Sequence, residues 1–570
     1  LEGRVTPGEH PCALLQVHLD LPPGGSEEIF FLLGQGADRQ QALELIETFR
    51  AEERVAAAWK SVGEYWDGLL GAVQVRTPQP AMDVLLNRWL LYQALSCRIW
   101  GRTAFYQSSG AFGFRDQLQD VLSVLAVQPE IAREHILRAA AHQFEQGDVL
   151  HWWHPPSGRG VRTRFSDDLL WLPYVVSEYV RVTGDREILE AEAPFLSGPE
   201  LAQNEDEHYG LFERTPASYS LYEHCKRAVE RGATQGAHGL PLMGSGDWND
   251  GMNRVGIEGR GESVWLGWFL YDVLQHFAGL SDLRGESEIA AQQRERARGL
   301  QAALEASAWD GQWYLRAFYD SGQPLGSRSS QECQIDSIAQ SWAVISGAGA
   351  AERARQAMQS VVERLVRPDD RLILLFAPPF DQTPLDPGYI KGYVPGIREN
   401  GGQYTHGAIW TVWAFSLLGQ GERAAELFAL LNPVLHAADA AGLARYQVEP
   451  YVIAADVYGV DPHTGRGGWT WYTGSSGWYY RLGVEALLGL RREGARLRLD
   501  PVIPAEWDGF EMTYRHERGL CRIRVSNPEH VEQGIRRVHA GGVEQAGVWV
   551  ALAEGEQVIE VILGRDESKM

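Results

Sequence analysis

The segment Pro241–Arg254 carries the clearest candidate for acid–base chemistry. It reads PLMGSGDWNDGMNR, so Asp247 and Asp250 bracket Trp248 and Asn249. A carboxyl group beside a tryptophan is partly desolvated, and the raised pKa that results keeps it protonated near neutral pH, as a general acid requires. The spacing of the acidic residues does not match an EF-hand calcium loop. A cluster of Asx turns is the structural alternative that these residues alone leave open.

A second polar segment, Tyr106–Asp120, reads YQSSGAFGFRDQLQD and enters a predicted helix. Arg115 could bind an anion through two N–H groups, and Asp116 could accept hydrogen bonds from two hydroxyls of a sugar. A helix cap with a surface ion pair is the alternative interpretation.

Two later segments indicate an anion site. They are Tyr389–His406 (YIKGYVPGIRENGGQYTH) and Gly467–Arg481 (GGWTWYTGSSGWYYR). His406, Thr473 and the Gly474 backbone could together hold a tetrahedral oxyanion, with help from the start of the helix that follows. Neither segment has a Walker or dinucleotide-binding pattern. Aromatic packing at the mouth of a helical toroid is the alternative.

The segment His151–Asp168, HWWHPPSGRGVRTRFSDD, places two histidines around two tryptophans. Pro155 and Pro156 interrupt the helix that would align His151 and His154 as metal ligands, so we expect no metal site. The segment is either a substrate loop with aromatic stacking or a packed structural loop.

Composition restricts the class of partner. The chain has 75 acidic against 52 basic residues, a net charge of −23, which disfavours binding to nucleic acid or to a membrane surface. No apolar run is long enough to span a membrane. The 20 tryptophans and 21 tyrosines suit the flat faces of sugars or, alternatively, a large core. Five cysteines without a CxxC pair indicate a reducing compartment. We therefore expect a cytoplasmic protein, or the cytoplasmic part of a larger membrane protein.

The hydrophobic periods predict the elements that position these segments. Alternation over Leu15–Leu21 and Glu28–Leu33 predicts two strands, and Asp38 is a plausible N-cap for one helical stretch through Trp59. About a dozen helical segments then follow up to residue 490, joined by polar, aromatic loops, which predicts a toroid of helices. Short alternating runs after Arg492 predict a small β-domain.

The motifs FGFRDQLQD, GDWNDGMN, GIRENGGQYTH and GWTWYTGSSGWYYR occur in this order and at matching spacing across residues 80–490. Together they resemble the inverting β-glycan phosphorylases of glycoside hydrolase family 94, in particular the phosphorylase-like region of cyclic β-1,2-glucan synthases and the 1,2-β-oligoglucan phosphorylases. The resemblance implies a mainly α fold. Residues 1–37 would end an N-terminal β-sandwich, 38–75 form a helical linker, 76–490 an (α/α)6 barrel, and 491–570 a small C-terminal β-domain.

The resemblance also implies a role for each site residue. The general acid falls on Asp250. The other assignments are sugar binding by Arg115, Asp116, Trp248, Arg398 and Glu399, and phosphate binding by His406, Thr473 and Gly474. No metal or cofactor is implied, and inorganic phosphate is the co-substrate. Two positions depart from cellobiose phosphorylases: Gly110 replaces an arginine and Arg398 replaces a lysine. Both argue against a β-1,4 disaccharide as substrate.

The implied activity is reversible phosphorolysis of a β-glucan, expected to be a β-1,2-linked oligosaccharide, to α-glucose 1-phosphate. Three alternatives stay open. One is an inverting β-glucoside hydrolase with Asp116, Asp247 or Glu399 as its base. The others are a phosphorylase of the cellobiose or cellodextrin type and a non-catalytic glucan-binding domain of a cyclic glucan synthase. Whether the chain forms a homodimer is also left open.

Overall fold

The computed structural model describes residues 14–101, 110–155, 157–202 and 205–565 of the 570-residue chain. They belong to two compact units that divide between Gly68 and Leu69.

The first unit contains helices but no described strand. The predicted strands Leu15–Leu21 and Glu28–Leu33 are wrong, because the described residues offer no neighbouring strand to hydrogen-bond with them. Helix α1 (Arg39–Phe49) begins where predicted, since the Asp38 side chain accepts a hydrogen bond from the Gln41 amide at 2.9 Å. Helix α1 ends at Phe49, so the single helix predicted from Asp38 through Trp59 is two helices. The second is α2 (Glu52–Leu70), which runs to the start of the second unit.

The second unit is built mainly from helices. They are α3 (Pro80–Val84), α4 (Leu90–Gln93), α5 (Phe114–Asp120), α6 (Pro129–Ala140), α7 (Trp171–Thr183), α8 (Leu221–Gly232), α9 (Val264–Leu283), α10 (Ser287–Ser307), α11 (Ser337–Ile345), α12 (Ala351–Leu365), α13 (Thr405–Leu417), α14 (Gly421–Leu431), α15 (Pro433–His436), α16 (Ala440–Tyr446) and α17 (Ser475–Arg481). Most were predicted from the sequence; α8 was missed. Shorter π or 3₁₀ turns extend several of them: Leu85–Trp89, Ala94–Trp100, Val121–Val124, Asp168–Leu170 and Leu482–Leu487.

Six of these helices contact one another in a closed order. Helix α5 contacts α7, which contacts α9, and the series continues through α11, α13 and α17 back to α5. Helices α6, α8, α10, α12 and α14 each contact members of this series from positions between them in the chain. Helix α13 is apolar and buried along nearly its whole length. We call the six helices of the closed series the ring helices.

The strands are two to nine residues long. They are β1 (Val73–Arg76), β2 (Phe112–Gly113), β3 (Leu150–Trp153), β4 (Arg159–Thr163), β5 (Glu192–Ser197), β6 (Glu207–Leu211), β7 (Glu213–Ser220), β8 (Glu262–Ser263), β9 (Ala317–Phe318), β10 (Pro324–Leu325), β11 (Ile335–Asp336), β12 (Val366–Arg367), β13 (Leu372–Ile373), β14 (Phe376–Ala377), β15 (Gln403–Tyr404), β16 (Asp456–Val457), β17 (Leu490–Glu493), β18 (Arg496–Leu499), β19 (Gly509–His516), β20 (Gly519–Ser526), β21 (Ile535–Ala540), β22 (Val543–Glu544), β23 (Trp549–Ala551) and β24 (Gly555–Leu563).

The predicted C-terminal strands are confirmed, and they gain a member from elsewhere in the chain. Six strands form one sheet in the order β1-β19-β20-β24-β21-β22, in which β20 and β24 run parallel and the other pairs antiparallel. Strand β1 lies in the segment predicted to be a helical linker. Its alternating residues Val73 and Val75 are buried, which explains why it pairs at this edge.

The tryptophans divide between the core and the cleft described below. Six of them are fully buried: Trp171, Trp265, Trp268, Trp313, Trp342 and Trp410. The core interpretation of the aromatic composition is therefore confirmed for these six, and the sugar interpretation stays a prediction for the tryptophans that line the cleft. Among the described residues, no helix is long and apolar enough to cross a membrane.

Candidate active site

One cavity of about 480 Å³ brings the predicted site residues together. All nine line it: Arg115, Asp116, Trp248, Asp250, Arg398, Glu399, His406, Thr473 and Gly474. They come from four separate stretches of the chain.

The beginnings of the ring helices position these side chains. Asp116 lies in the first turn of α5, and His406 in the first turn of α13. Gly474 immediately precedes α17, and Asp250 lies in the loop before α9. Because these ends of the ring helices share one cavity, four distant segments converge on it.

The close turn into α5 requires a glycine. A Cβ on Gly113 would collide with the carboxylate of Asp116, which folds back over the start of the helix. The side chain of Asp116 is 52% exposed, and one of its oxygens lies 3.5 Å from Arg98 Nη2. The predicted sugar-binding carboxylate is therefore held open to the cavity.

Asp250 is held between two cationic side chains. Arg115 Nη2 donates a hydrogen bond to Asp250 Oδ1, and His151 Nε2 lies 3.7 Å from Asp250 Oδ2. Burial raises the pKa of Asp250 above its ordinary value, and Asp168 adds to the rise, whereas Arg115 and His151 oppose it. The environment thus raises the pKa of this carboxyl while two cations stabilise its conjugate base, a combination suited to a general acid.

Arg115 bonds mainly to carboxylates of the protein. Its Nη1 donates to Asp167 Oδ1 at 2.6 Å and to the Asp247 carbonyl at 3.0 Å, and its Nε lies 3.6 Å from Asp168 Oδ1. The side chain is only 8% exposed. The alternative of a surface ion pair is therefore wrong. Bidentate anion capture has little support, because the described N–H groups already face the protein.

His151 continues this network away from Asp250. Its Nδ1 donates to Asp168 Oδ2 at 2.7 Å, and its ring stacks on Phe165 at 4.5 Å. Burial opposes protonation, but the carboxylates of Asp168 and Asp250 outweigh it and raise the pKa of His151 to about 9. His151 is therefore a cation at neutral pH.

Asp247, a possible hydrolytic base from the sequence, lies outside the cavity. Its carboxylate accepts two hydrogen bonds from Arg316 at 2.7 Å each and one from Ser263 Oγ at 2.6 Å. Burial opposes ionisation, yet these bonds lower the pKa of Asp247. Fully buried and fully paired, it anchors the loop that carries Asp250 and cannot activate a water in the cavity.

Trp248, two residues before Asp250 in the chain, lies next to the predicted anion site. Its ring lies 5.2 Å from the ring of His406 and 4.8 Å from that of Trp410. Burial lowers the pKa of His406 to about 3, so the imidazole is neutral at physiological pH. Among the described groups, no atom hydrogen-bonds to His406 Nε2. A buried polar nitrogen in this state lacks the partner that buried groups ordinarily have.

Thr473 and Gly474 lie beside His406 on the same wall. The Thr473 hydroxyl donates to Ser475 Oγ at 2.9 Å, and a Cβ on Gly474 would come within 3.7 Å of the His406 ring. Arg98, which the sequence analysis missed, also lines the cavity and donates to Asp120 Oδ2 at 2.9 Å. The wall combines neutral donors with one buried cation.

Arg398 and Glu399 form the remaining side of the cavity. Arg398 adopts φ = 52°, a left-handed conformation that is uncommon for residues other than glycine and often marks a functional loop. Burial raises the pKa of Glu399 to about 7; Arg398 opposes this rise and Asp250 adds to it. Glu399 therefore changes charge near neutral pH.

Several functional candidates escaped the sequence analysis. His151, Asp167 and Asp168 were noted within one aromatic, polar segment but received no role. The doubled aspartate after three arginines was a usable signal, since adjacent charges that precede an apolar helix must be paired. Part of the Tyr106–Asp120 motif, residues 106–109, lies outside the described residues.

The sequence model of the glycosyl hydrolase 94 superfamily catalytic domain matches residues 65–489, and that of the family's supersandwich domain matches residues 1–52. The chain belongs to the glycosyl hydrolase 94 superfamily. The four motifs that contribute to the cavity lie within the residues that the catalytic-domain model matches.

Relatives in the superfamily differ in substrate and in length. The chain is 47% identical to the cyclic beta-(1,2)-glucan synthase NdvB of Rhizobium meliloti over 90% of its own length but only 18% of that protein. It is 30% identical to an N,N'-diacetylchitobiose phosphorylase of Vibrio proteolyticus, covering 97% of this chain and 70% of the relative. A 1,2-beta-oligoglucan phosphorylase of Listeria innocua is 22% identical, over 74% of this chain and 39% of the relative.

Solved structures share the fold at low identity. A family GH78 rhamnosidase of Bacillus sp. GL1 superimposes with a TM-score of 0.51 and 12% identity, covering 87% of this chain and 44% of that chain. At this identity the likeness concerns the fold of the glycosyl hydrolase 94 chain and not its activity. In the described part of the chain, no group of three His, Cys, Asp or Glu side chains could hold a metal ion.

Proposed function

We propose that this chain catalyses inverting phosphorolysis of a β-glucan, releasing α-glucose 1-phosphate and a shortened glucan, and that the reaction is reversible. The observation that carries the proposal is the shared cavity: the Asp250 carboxyl and the His406–Thr473–Gly474 wall line the same space, with Trp248 between them. A glycosidic bond and an attacking anion need this separation of acid and nucleophile sites.

The acid step follows from the surroundings of Asp250. The protonated carboxyl gives its proton to the departing glycosidic oxygen while the C1–O bond breaks. The carboxylate that remains accepts from Arg115 and faces His151, so its charge is stabilised where it forms. Asp116 and Trp248 are suited to hold the sugar ring, through hydroxyl hydrogen bonds and an apolar face.

The nucleophile needs binding rather than activation. Inorganic phosphate is already an anion, so no second carboxylate has to deprotonate it. The free Nε2 of His406, the Thr473 hydroxyl and the Gly474 backbone are the groups proposed to bind it, near the guanidinium of Arg98. Neutral donors suit an anion that must bind and leave repeatedly, because they do not trap it as a rigid ion pair would.

We also propose the linkage of the donor glucan and the architecture of the helical part of the chain. A β-1,2-glucan is the proposed donor, supported by the 47% identity to the cyclic beta-(1,2)-glucan synthase. The closed series of six helices with further helices outside supports an (α/α)6 barrel. We propose further that the reaction needs no cofactor, and that the protein acts in the cytoplasm or as the cytoplasmic part of a larger synthase. Whether it works as a homodimer stays open.

A hydrolase is the second candidate function, and Glu399 is the observation that favours it. Its carboxyl lines the cavity and has a pKa of about 7, so it could serve as a base at neutral pH. Asp116 remains a geometric alternative, since it also lines the cavity.

One experiment separates these functions. The protein is incubated with β-1,2-linked gluco-oligosaccharides with and without inorganic phosphate, and glucose 1-phosphate and glucose are quantified. Phosphorolysis predicts phosphate-dependent formation of α-glucose 1-phosphate. Release of glucose at the same rate without phosphate would reject phosphorolysis in favour of hydrolysis. Binding of the oligosaccharide without either product would indicate a non-catalytic glucan-binding domain.

A further inference from the structure

The two oxygens of Asp250 have different surroundings, and this difference determines where its proton sits. Oδ1 accepts an N–H from Arg115, a group that cannot give up its own proton in the working pH range. Oδ2 has no such donor at hydrogen-bond distance among the described side chains and faces His151 Nε2 at 3.7 Å. The transferable proton therefore belongs on Oδ2, the oxygen on the His151 side.

His151 is held in one orientation by its other nitrogen. Asp168 only accepts hydrogen bonds as a carboxylate, so the 2.7 Å contact fixes a proton on His151 Nδ1. The ring of Phe165 supports the imidazole from one face, and the side chain of His151 is 15% exposed. An imidazole anchored in this way presents Nε2 to Asp250 without freedom to turn.

We propose that His151, oriented by Asp168, is a positioning residue for the acid, stabilising the negative charge that appears on Asp250 Oδ2 as its proton departs. The inference rests on the proposed function of Asp250 as the general acid. It assigns a role to a residue that the sequence analysis left as part of an aromatic loop.

The reaction moves one proton from Asp250 and exchanges one bond at C1. The O–H bond at Asp250 Oδ2 breaks and its proton joins the glycosidic oxygen, which keeps the electron pair of the broken C1–O bond. A phosphate oxygen forms the new bond to C1. The imidazolium of His151 keeps both protons throughout. Hydrogen phosphate brings the one proton that restores Asp250, so the protons balance over the turnover.

Other charged groups also face Asp250, and they set the expected size of the effect. Arg115 approaches from α5 and Asp168 from the turn before α7. Electrostatic interactions also join Asp250 to Glu399 and to three tyrosines, Tyr389, Tyr393 and Tyr404. An opposite charge within about 4–6 Å lowers a carboxyl pKa by about 1–3 units. Since Arg115 remains in place, removing the His151 cation should raise the pKa of Asp250 by about one unit.

The test compares two donors that differ in their need for an acid. One is the β-1,2-linked oligosaccharide, whose leaving sugar hydroxyl must be protonated. The other is 2,4-dinitrophenyl β-glucoside, whose leaving phenolate needs no proton. Phosphate-dependent glucose 1-phosphate formation is measured for the wild type, H151Q, D168N and D250N. The control H142Q replaces another partly buried histidine, which stacks on Trp153 at 3.9 Å and is not among the groups that act on Asp250.

We expect H151Q to lose about tenfold in kcat/KM on the oligosaccharide and less than twofold on the aryl glucoside. The alkaline limb of its pH profile on the oligosaccharide should move up by about one pH unit, because a carboxyl without its neighbouring cation holds its proton to higher pH. D168N removes the anchor of His151 but also a carboxylate that raises the pKa of Asp250, so its alkaline limb should move less than that of H151Q, while its oligosaccharide activity should still fall more than its aryl glucoside activity. H142Q should leave both the donor ratio and the limb unchanged.

Equal losses on both donors with an unmoved alkaline limb would overturn the proposal, since a purely structural defect lowers every rate alike. If H151Q fails to fold, D168N still tests the proposal, because it leaves the imidazole in place. D250N serves a separate purpose. If D250N keeps its oligosaccharide activity, the acid assignment itself fails; if D250N alone discriminates between the donors, only the role of His151 is rejected.

Discussion

The two walls of the cavity are built on opposite principles. On the acid wall, Arg115, His151 and Asp168 form closed ion pairs around Asp250, and each charge meets another at short range. On the anion wall, His406 is neutral and its buried Nε2 lacks a partner among the described groups. The charges of the acid wall are paired with one another in the free protein, whereas the anion wall contains a buried imidazole nitrogen without a hydrogen-bond partner among the described groups.

The two walls therefore stabilise charge in different ways. A preorganised charge network keeps an acid in one geometry and stabilises its conjugate base without rearrangement. An unsatisfied buried donor costs stability in the free protein and recovers it when an anion binds. Substitutions on the acid wall should therefore affect turnover and folding, and substitutions on the anion wall should affect mainly the affinity for phosphate.

The largest effect is expected for D250N. Loss of general acid catalysis should lower kcat for the oligosaccharide by about 10²–10⁴-fold. Because an asparagine side chain has nearly the shape of the aspartate it replaces, the loop should keep its conformation and the KM for phosphate should stay within about twofold of the wild type. Steady-state rates of glucose 1-phosphate release measure both quantities. Near-normal turnover of D250N would remove Asp250 from the acid role.

The next effect concerns stability of the acid wall. R115M would leave the buried Asp167 without its cation and Asp168 with His151 alone, and should lower the free energy of unfolding by about 3–5 kcal/mol. Arg138 offers a matched control. It pairs with Glu134 one helical turn away on an exposed face, so R138M should cost about 0.5 kcal/mol or less. Denaturant unfolding of the two variants measures the difference, and equal losses would contradict a network that depends on Arg115.

The contrast also explains which parts of the site could be found in the sequence. Asp250, His406 and Thr473 stand in loops rich in glycine and aromatic residues, where a polar side chain has no role in core packing. His151 and Asp168 were visible as residues but not as partners of Asp250, because their pairing joins positions 82 or more residues apart along the chain. Arg98 lies within a helix and gives no local signal of its place in the cavity.

The fold shows the same division between local and distant information. Helical periodicity and the Asp38 cap predicted most helices, since both depend on neighbouring residues. The strands predicted at 15–21 and 28–33 failed, because alternation alone does not supply a hydrogen-bonded neighbour. Strand β1 could not be foreseen, since its partner β19 lies more than 400 residues away.

On the anion wall, H406A should raise the KM for phosphate by at least about tenfold, the value of one hydrogen bond to a charged ligand. The KM for the oligosaccharide and the midpoint of unfolding should change little. With a pKa of about 3, His406 is neutral from pH 5 to 8, so its own titration should not shape phosphate affinity over that range. Phosphate KM measured across these pH values checks this. A loss of affinity that follows a single protonation near pH 6.5 and disappears in H406A would show that His406 binds as a cation.

The smallest effect is expected for T473V, which removes one neutral hydroxyl from the same wall. A hydrogen bond to a charged ligand contributes about 1.5–3 kcal/mol, but the Thr473 hydroxyl must first give up its hydrogen bond to Ser475 Oγ, worth about 0.5–1.5 kcal/mol, so the KM for phosphate should rise about two- to tenfold. T473S keeps the hydroxyl and should bind phosphate like the wild type. The Thr473 hydroxyl also accepts from the Ser475 amide at 3.2 Å, so T473V removes a local support of the turn as well. A structural effect of this kind would raise the KM for both substrates and lower the unfolding midpoint, whereas a phosphate contact changes the phosphate KM alone. The comparison of T473V with T473S therefore tests whether the anion wall acts through individual donors, as its open geometry requires, or through the rigidity that characterises the acid wall.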